Sequence, residues 1–278
     1  MAEKKTTKPT AKKPAAKKTT DKKAAPKKAA TGADKKPDAV EAGGASGLPM
    51  FYNGVTLLNK ETHGKLKVKP LSDHGFAANA NSIVLAASEF AQAAAHYPIV
   101  FGKAGDEMMA FAVTGHTGGE NAFLDDKKRW RSDTYIPAYV RRYPFLLVQS
   151  QDGQTFSLAV DESSQMLNTK SGELLYEKGE ATETARRALG FCVQFRQELE
   201  RSKVLLKQLD DSGILVERTA NVELPNGKKS VVTGFSIVDE KLLAELDDDK
   251  FLELRKTGLL NLIYCHLWSM RVWNNLLA

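Results

Sequence analysis

The chain has 278 residues, of which 42% are hydrophobic, so it is long enough to bury an extended core. Its net charge of +6 is unevenly distributed, because residues 1–47 contain 13 lysines, no arginine and five acidic residues. That segment carries +8 and leaves −2 for residues 48–278. A near-neutral body argues against a basic groove for nucleic acid on the folded part of the protein.

Residues 1–47 form a segment rich in lysine, alanine, proline and threonine, without any aromatic residue. We predict that it is disordered, because it has too little apolar surface to offset the conformational entropy of ordering. Its lysines favour binding to nucleic acid or another polyanion, although a purely solubilising role remains the alternative. The lysine pairs expected to make such contacts are Lys12, Lys13, Lys17, Lys18, Lys22, Lys23, Lys27 and Lys28.

The folded body is predicted to begin near Phe51 with a series of short strands. The first two flank a turn at His63–Gly64, and the last two are expected to pair as a hairpin around Asp152–Gly153. Two short helices, Ala87–His96 and Pro137–Arg142, interrupt the series. The predicted strands are Val55–Leu58, Lys65–Val68, Ser82–Ala86, Ile99–Phe101, Met108–Thr114, Pro144–Gln149 and Thr155–Val160.

After a loop-rich region at 161–180, helices dominate the chain. The clearest spans Thr184–Asp210, because its apolar residues recur every three or four positions: Ala188, Cys192, Phe195, Leu199, Leu206 and Leu209. Two strands and three helices follow: Ile214–Arg218, Ser230–Ile237, Glu240–Leu246, Lys250–Lys256 and Leu259–Leu277, with Asp239, Asp247–Asp249 and Gly258 as caps. Strands first and helices last predict a single α+β domain over 51–278, with mostly antiparallel short strands.

The sequence contains few signals that indicate a cellular compartment. No apolar segment follows the charged N-terminus as in a secretory signal peptide, and the apolar run Leu259–Leu277 contains too many polar residues for a membrane span. We therefore expect a cytoplasmic protein without a membrane span, unless a signal-independent route exports it to the surface. Cys192 and Cys265 lie in apolar helical contexts and are expected to be free thiols.

The densest cluster of unusual residues lies between Gly115 and Phe145. The glycine-rich turn Gly115–Asn121 lacks the lysine and hydroxyl residues of a phosphate loop, so we expect it to supply positive-φ turn geometry. Asp125 and Asp126 fit a charged turn better than a catalytic carboxylate pair. Arg141 and Arg142, beside a tyrosine, fit either a clamp for carboxylate or phosphate or an internal salt bridge to Glu89 or Asp125, and we favour the salt bridge.

Motifs of catalysis and metal binding are absent from the sequence. The five histidines show no i, i+4 pair, and neither cysteine has metal-ligand spacing. No nucleophile elbow or Cys–His signature occurs, so we expect no metal and no cofactor. An enzyme remains an alternative, and it would require His63, Asp125, Arg141 and His266 to converge on one pocket.

Several strings together resemble the bacterial SapC family over about residues 51–278. They are EFAQAAAHYPIVF, GENAFLDDKKRW, YIPAYVRRYPF, GFSIVDEKLLAEL and GLLNLIYCHLWSM, which begin at residues 89, 119, 135, 234 and 258. The PAYVRRYPF part is the most specific. The lysine-rich tail is not a feature of the family, and Arg129 stands where the family tends to have glycine before Trp130, which leaves a tight turn there open.

The resemblance implies a link to surface-layer assembly or the cell envelope and no established catalytic residue. The positions that match the family pattern are His63, Glu89, Tyr97, Pro98, Asn121, Trp130, Pro137, Arg141, Arg142, Tyr143, Pro144 and His266. Asp125 and Tyr139 join these as candidate functional residues.

The leading hypothesis is a non-enzymatic protein of the cell envelope or surface layer that acts through contacts with a protein partner. The segment Tyr135–Phe145 is then either its contact surface or a core element. The first alternative is a cytoplasmic protein tethered to nucleic acid or another polyanion by residues 1–47, and the second is the enzyme.

Overall fold

The computed structural model describes residues 47–276 except 117–118, 151–154, 224–226 and 228, so the predicted tail lies almost entirely outside the described residues. The fold is α+β, as predicted, with antiparallel strands and a helical C-terminal part. The strands are β1 Val55–Leu57, β2 Lys67–Val68, β3 Ser82–Leu85, β4 Ile99–Ala104, β5 Glu107–Val113, β6 Phe145–Gln149, β7 Phe156–Asp161, β8 Leu167–Asn168, β9 Glu173–Leu174, β10 Tyr176–Glu177, β11 Glu180–Ala181, β12 Leu215–Glu223 and β13 Lys229–Val238. The helices are α1 Phe90–Ala93, α2 Ala138–Arg141, α3 Glu183–Asp211, α4 Glu240–Ala244, α5 Asp248–Thr257 and α6 Leu259–Ser269.

The larger sheet has the strand order β12-β13-β4-β5-β3, with antiparallel neighbours throughout. Strand β4 begins with Ile99, Val100 and Phe101, which are all buried because helices α3 and α6 pack against this sheet. Consecutive buried residues are typical of a strand covered on both faces. The main core cluster forms here, and it includes Phe90, Phe123, Leu206 and Ile263.

A second sheet, β1-β7-β6, lies against the N-terminal half of α3. Successive side chains of β6 alternate between two clusters: Phe145 and Leu147 join Cys192 of α3, whereas Leu146 and Val148 join Tyr52. The predicted pairing of these two strands is confirmed, whereas the proposed turn at Asp152–Gly153 lies outside the described residues.

Helix α3 connects the two sheets and confirms the strongest sequence prediction. It begins at the cap Thr182, and its apolar positions Cys192, Phe195, Leu199, Leu206 and Leu209 are buried, while Ala188 is half-buried. The predicted caps Asp239, Asp247 and Gly258 are confirmed as well, and Gly258 adopts a left-handed conformation. Among the described helices, none combines the length and the apolarity that crossing a membrane requires.

The structure adds strand pairings that the sequence did not predict, and it shortens the predicted terminal helix. Strands β1 and β2 do not pair with each other: β1 pairs with β7, and β2 pairs with β8 and β9. The predicted loop-rich region 161–180 contains the two-residue strands β8 and β9 and most of the β10–β11 hairpin. The terminal helix ends at Ser269, because a 3-10 helix, Met270–Leu276, continues the chain beyond it.

Candidate functional site

The segment Tyr135–Phe145 contains the tyrosines and arginines that stood out in the sequence. It includes α2 and leads into β6. From Pro137 to Val148 every residue is buried except Arg141, which is exposed. The peptide bond between Tyr143 and Pro144 is cis. The segment is therefore mainly a core element, with a single exposed charged side chain.

Arg142 is a core residue, although it is charged. Its guanidinium carbon lies 4.2 Å from the centre of the Tyr139 ring, 5.2 Å from that of Phe195 and 5.5 Å from that of Tyr52, and the residue is 2% exposed. A planar, weakly hydrated guanidinium is suited to stacking of this kind. Arg142 thus joins α2 to α3 and to the chain before β1.

Arg141 points the other way and does not form the predicted salt bridge with Glu89 or Asp125. Its Nε donates to the carbonyl oxygen of Ile136 at 3.0 Å, and its Nη2 donates to the hydroxyl of Tyr135 at 3.0 Å. Its guanidinium carbon lies 5.5 Å from the Tyr135 ring centre and 5.3 Å from that of Phe191. The predicted direct ion pair is wrong, because the Tyr135 hydroxyl lies between Arg141 and Glu89, and Asp125 pairs with Arg129 instead.

Glu89 is a buried acid that accepts hydrogen bonds from Tyr135 and from the start of α2. One carboxylate oxygen accepts from the Tyr135 hydroxyl at 2.8 Å and from the backbone N–H of Ala138 at 2.7 Å, and the other accepts from the N–H of Ala86 at 2.9 Å. Burial, followed by the negative charge of Glu89, raises the pKa of Tyr135 to about 12. Glu89 therefore fixes the start of α2 and keeps Tyr135 a neutral donor.

These residues line a surface cleft of about 230 Å³, which we call the Arg141 cleft. Glu198, the second acid at its border, forms an ion pair with Arg201 at 2.7 Å. The exposed amides of Gln92 and Gln194 lie at the rim. The residues that define the cleft are Glu89, Gln92, Tyr135, Arg141, Phe191, Gln194 and Glu198.

At the other end of the segment, Tyr143 borders a larger cleft of about 520 Å³, which we call the Tyr143 cleft. The Tyr143 ring stacks on Phe76 with centres 4.0 Å apart, and its hydroxyl donates to Asp161 at 3.3 Å. Burial raises the pKa of this tyrosine. The residues that define the cleft are Asn53, Lys69, Ser72, Asp73, Phe76, Tyr143, Ser163, Ser164 and Gln165.

Comparison with known protein families finds one match that spans most of the chain. The model of the SapC family matches residues 58–276. The chain belongs to the SapC family. No curated protein matches the sequence, and no solved structure matches the fold.

Three further SapC-pattern residues are packing elements in this chain. The indole Nε1 of Trp130 donates to the hydroxyl of Tyr97 at 2.9 Å, and that hydroxyl donates to the carbonyl oxygen of Tyr135. Asn121 donates from Nδ2 to the carbonyl oxygen of Ala77 at 3.2 Å. All three side chains are buried, and the bonds of Tyr97 and Trp130 hold the chain before α2 in position.

Asp125 organises a tight turn before Trp130. The sequence had left this turn undecided, because Arg129 stands where the SapC family tends to have glycine. Its Oδ1 accepts from the N–H groups of Lys127 and Arg129, and its Oδ2 accepts from Nε and Nη2 of the Arg129 guanidinium. Hydrogen bonds from Arg129 lower the pKa of Asp125. The turn needs no glycine because Lys128 adopts the left-handed conformation, with φ 58°.

The two SapC-pattern histidines lie in separate parts of the fold. His63 accepts from the N–H of Asn59 at Nδ1, and its Nε2 lies 2.9 Å from a carboxylate oxygen of Glu162. His266 donates from Nδ1 to the carbonyl oxygen of Ile99 at 2.7 Å and accepts at Nε2 from the N–H of Val238 at 3.0 Å. Burial lowers the pKa of His266 to about 4, so the neutral ring joins α6 to β4 and β13.

The enzyme alternative requires His63, Asp125, Arg141 and His266 in one pocket. The four side chains share no hydrogen-bond partner, and only Arg141 lines the Arg141 cleft or the Tyr143 cleft. Within the described residues, no group of three or more His, Cys, Asp or Glu side chains is placed to hold a metal ion. Cys192 is buried and Cys265 is half-buried, and neither forms a disulfide. The lysines of the predicted polyanion-binding tail lie outside the described residues.

The sequence reasoning missed two residues that shape the Tyr143 cleft: Asp161, which bonds to lining residues, and Phe76, which lines the cleft. Asp161 is fully buried at the end of β7, and Ser163, which had the pattern of an ordinary polar position, donates to it. The only available signal was an acid that directly follows a run of buried-strand residues. Phe76, the stacking partner of Tyr143, had no distinguishing sequence context.

Proposed function

We propose that this SapC-family chain is a non-enzymatic protein of the cell envelope or surface layer that binds a protein partner through the Arg141 cleft. The observation that supports this proposal is the exposure of Arg141 in a segment that is otherwise buried. The neighbouring residues are buried, so core packing explains them. Core packing does not explain the exposed guanidinium of Arg141, which contacts the rings of Tyr135 and Phe191.

The chemistry of the cleft suits a carboxylate of the partner. A guanidinium has five N–H donors, and the bonds to Ile136 and Tyr135 engage only Nε and Nη2. Within the described part of the chain, Nη1 has no acceptor. Both acids at the cleft are already engaged, Glu89 by three donors and Glu198 by Arg201, so they compete weakly for an incoming anion.

The rings of Tyr135 and Phe191 add preorganisation. They flank the guanidinium at 5.5 and 5.3 Å, which restricts its rotamers before any ligand arrives. A charge-assisted hydrogen bond contributes about 1.5–3 kcal/mol, so removing Arg141 should weaken partner binding by roughly ten- to hundredfold. A lysine at this position keeps the charge but not the planar fork, and should restore only part of the affinity.

Photo-crosslinking in intact cells tests the proposal. A photoreactive amino acid at Gln194, which is exposed at the rim, should yield a discrete protein adduct. Arg141→Ala should abolish this adduct and leave the melting temperature within about 2 °C. Arg187→Ala is the matched control, because Arg187 is exposed on α3 but does not line the cleft.

Equal adduct yields in Arg141→Ala and Arg187→Ala would refute the Arg141 cleft as the contact site. A large loss of thermal stability in Arg141→Ala would instead make its role structural. Protease treatment of intact cells checks the location: digestion of the protein supports the surface, and protection together with recovery in the cytoplasmic fraction refutes it.

A second candidate function rests on the charge of residues 1–47, which carry +8 while the rest of the chain carries −2. Such a segment would tether the protein to nucleic acid or another polyanion, with an affinity that falls steeply with salt. Deleting residues 1–47 should abolish binding to duplex DNA and to polyphosphate. Binding that survives the deletion would exclude this role.

A further inference from the structure

One buried carboxylate, that of Asp161, holds together segments that line the Tyr143 cleft. Asp161 is 0% exposed and accepts from the N–H groups of Asn53 and Gly54, each at 3.1 Å, and from the Tyr143 hydroxyl at 3.3 Å. It also accepts from the N–H and hydroxyl of Ser163 at 3.0 and 2.6 Å. One side chain thus holds three separate parts of the chain that line the cleft.

An aromatic surface forms one wall of the cleft. The Phe76 and Tyr143 rings are nearly parallel, with an interplanar angle of 22°, and the Phe76 ring also meets Phe51 edge-on at 5.3 Å. Phe76 is only half-buried although it belongs to this cluster. Tyr143 is buried, so the partly exposed Phe76 ring is the aromatic group that can contact the C–H groups of a ligand and exclude water from them.

Besides the apolar side chains of Pro70, Leu71 and Met166, the lining supplies short polar groups. Asn53, Ser72 and Gln165 are exposed side chains with hydroxyl or amide groups, which donate and accept hydrogen bonds alike. Such groups match ligand hydroxyls, because a hydroxyl also donates and accepts. A few placed polar groups beside an aromatic surface are typical of small-molecule sites of about 300–1,000 Å³, and this cleft of about 520 Å³ lies within that range.

The charges of the cleft favour a ligand without net charge. Lys69 and Asp73 contribute one charge of each sign. The carboxylate of Asp73 is engaged by the N–H of Gly75 at 3.0 Å and by the hydroxyl of Ser72 at 2.9 Å, and these bonds lower its pKa. Asp161 is enclosed by its five donors and does not reach the ligand. An anion or a cation would therefore gain little here over a neutral molecule.

We propose that the Tyr143 cleft binds a neutral saccharide of roughly one or two sugar rings. The exposed part of the Phe76 ring, which Tyr143 supports from behind, contacts the C–H face of a sugar ring, and Asn53 and Gln165 bond to its hydroxyls. The site is independent of the Arg141 cleft, since no residue lines both. It gives the protein a second ligand class whether or not a protein partner binds at Arg141.

The test is binding of the full-length protein to neutral sugars, measured by calorimetry and by saturation-transfer NMR. The panel contains glucose, galactose, mannose, N-acetylglucosamine, maltose and cellobiose, together with glucuronic acid and glucosamine as charged comparators. At least one neutral sugar should bind with Kd on the order of 1 mM or tighter. A Phe51→Leu variant would not test sugar binding specifically, because Phe51 contacts both Phe76 and Tyr139.

Point variants test whether the sugar binds in the Tyr143 cleft. Asn53→Ala and Gln165→Ala remove exposed amides from the lining and should each weaken binding about five- to twentyfold without changing the melting temperature. Gln92→Ala is the control, because it removes an exposed amide from the Arg141 cleft and should bind as the wild type does. Phe76→Leu keeps an apolar side chain and should reduce affinity further by removing the aromatic surface.

Three results would overturn the proposal. They are the absence of binding by every neutral sugar in the panel, preferential binding of either charged comparator, and unchanged affinity in both amide variants. Each leaves the protein-partner proposal intact, because the crosslinking assay at Gln194 reads the other cleft.

Discussion

His266 makes the stability of this fold depend on pH in a defined window. The fully buried ring accepts a hydrogen bond from the N–H of Val238 at Nε2. A proton on Nε2 would turn this acceptor into a donor that faces the N–H of Val238. Burial lowers the pKa of His266 from 6.5 to about 4. Between these values the unfolded chain binds more protons than the folded chain, and stability therefore falls as the pH falls.

The size of the effect follows from the two pKa values. One pKa unit corresponds to about 1.4 kcal/mol, so the difference between 6.5 and about 4 corresponds to a loss of about 3 kcal/mol at pH 4. At pH 7 the histidine is neutral in both states and the loss is absent. The bond from Nδ1 to Ile99 offsets a small part of the burial effect, because it favours the protonated ring.

Urea unfolding between pH 7.5 and pH 4.5, followed by tryptophan fluorescence, measures this dependence. His266→Gln places an amide oxygen where Nε2 accepts from Val238 and removes the titration. We expect the variant to be less stable at pH 7 but to lose about 2 kcal/mol less than the wild type on acidification to pH 4.5. His96→Gln is the control. Parallel profiles for the wild type and His266→Gln would refute the reasoning.

Two further pairs of substitutions test local features of the fold. Gly115→Ala should cost more than about 3 kcal/mol, because a Cβ there would lie 1.8 Å from the carbonyl oxygen of Glu120, whereas Gly119→Ala, with φ 89° and open space, should cost about 1–2 kcal/mol. Chemical denaturation checks this order, and equal costs would contradict it. Glu89→Ala leaves buried N–H groups without their acceptor and should cost about 3 kcal/mol, and Glu89→Gln should cost less. In the latter variant, spectrophotometric titration should show a lower pKa for Tyr135, and an unchanged value would argue against the Glu89 charge as a cause.

The elements predicted best from the sequence are those whose signal is local. Helix α3 follows from apolar residues at helical spacing, and the capped starts of α4 and α5 follow from Asp239 and Asp247. In each case the residues that determine the structure lie within one or two turns of one another. The sequence pattern then contains most of the physical information.

Strand pairing and the roles of adjacent charged residues required the tertiary structure. Strand β1 pairs with β7, about 100 residues later, and nothing in VTLL indicates that partner. The glycine-rich turn shows a similar limit: Gly119 has the expected positive φ, whereas Gly115 is required by the close approach of Glu120. Contacts of this kind depend on where distant parts of the chain meet.

Arg141 and Arg142 show why the candidate site could be located but not resolved from the sequence. The residues are adjacent in the PAYVRRYPF string, yet a helical turn directs them to opposite environments, so that one is exposed and the other is 2% exposed. Because the rest of 137–148 is buried, substitutions at those positions reduce stability and binding together. Arg141 is the position in this segment where the two effects separate, and a loss of binding without a loss of stability there distinguishes a contact surface from a core element.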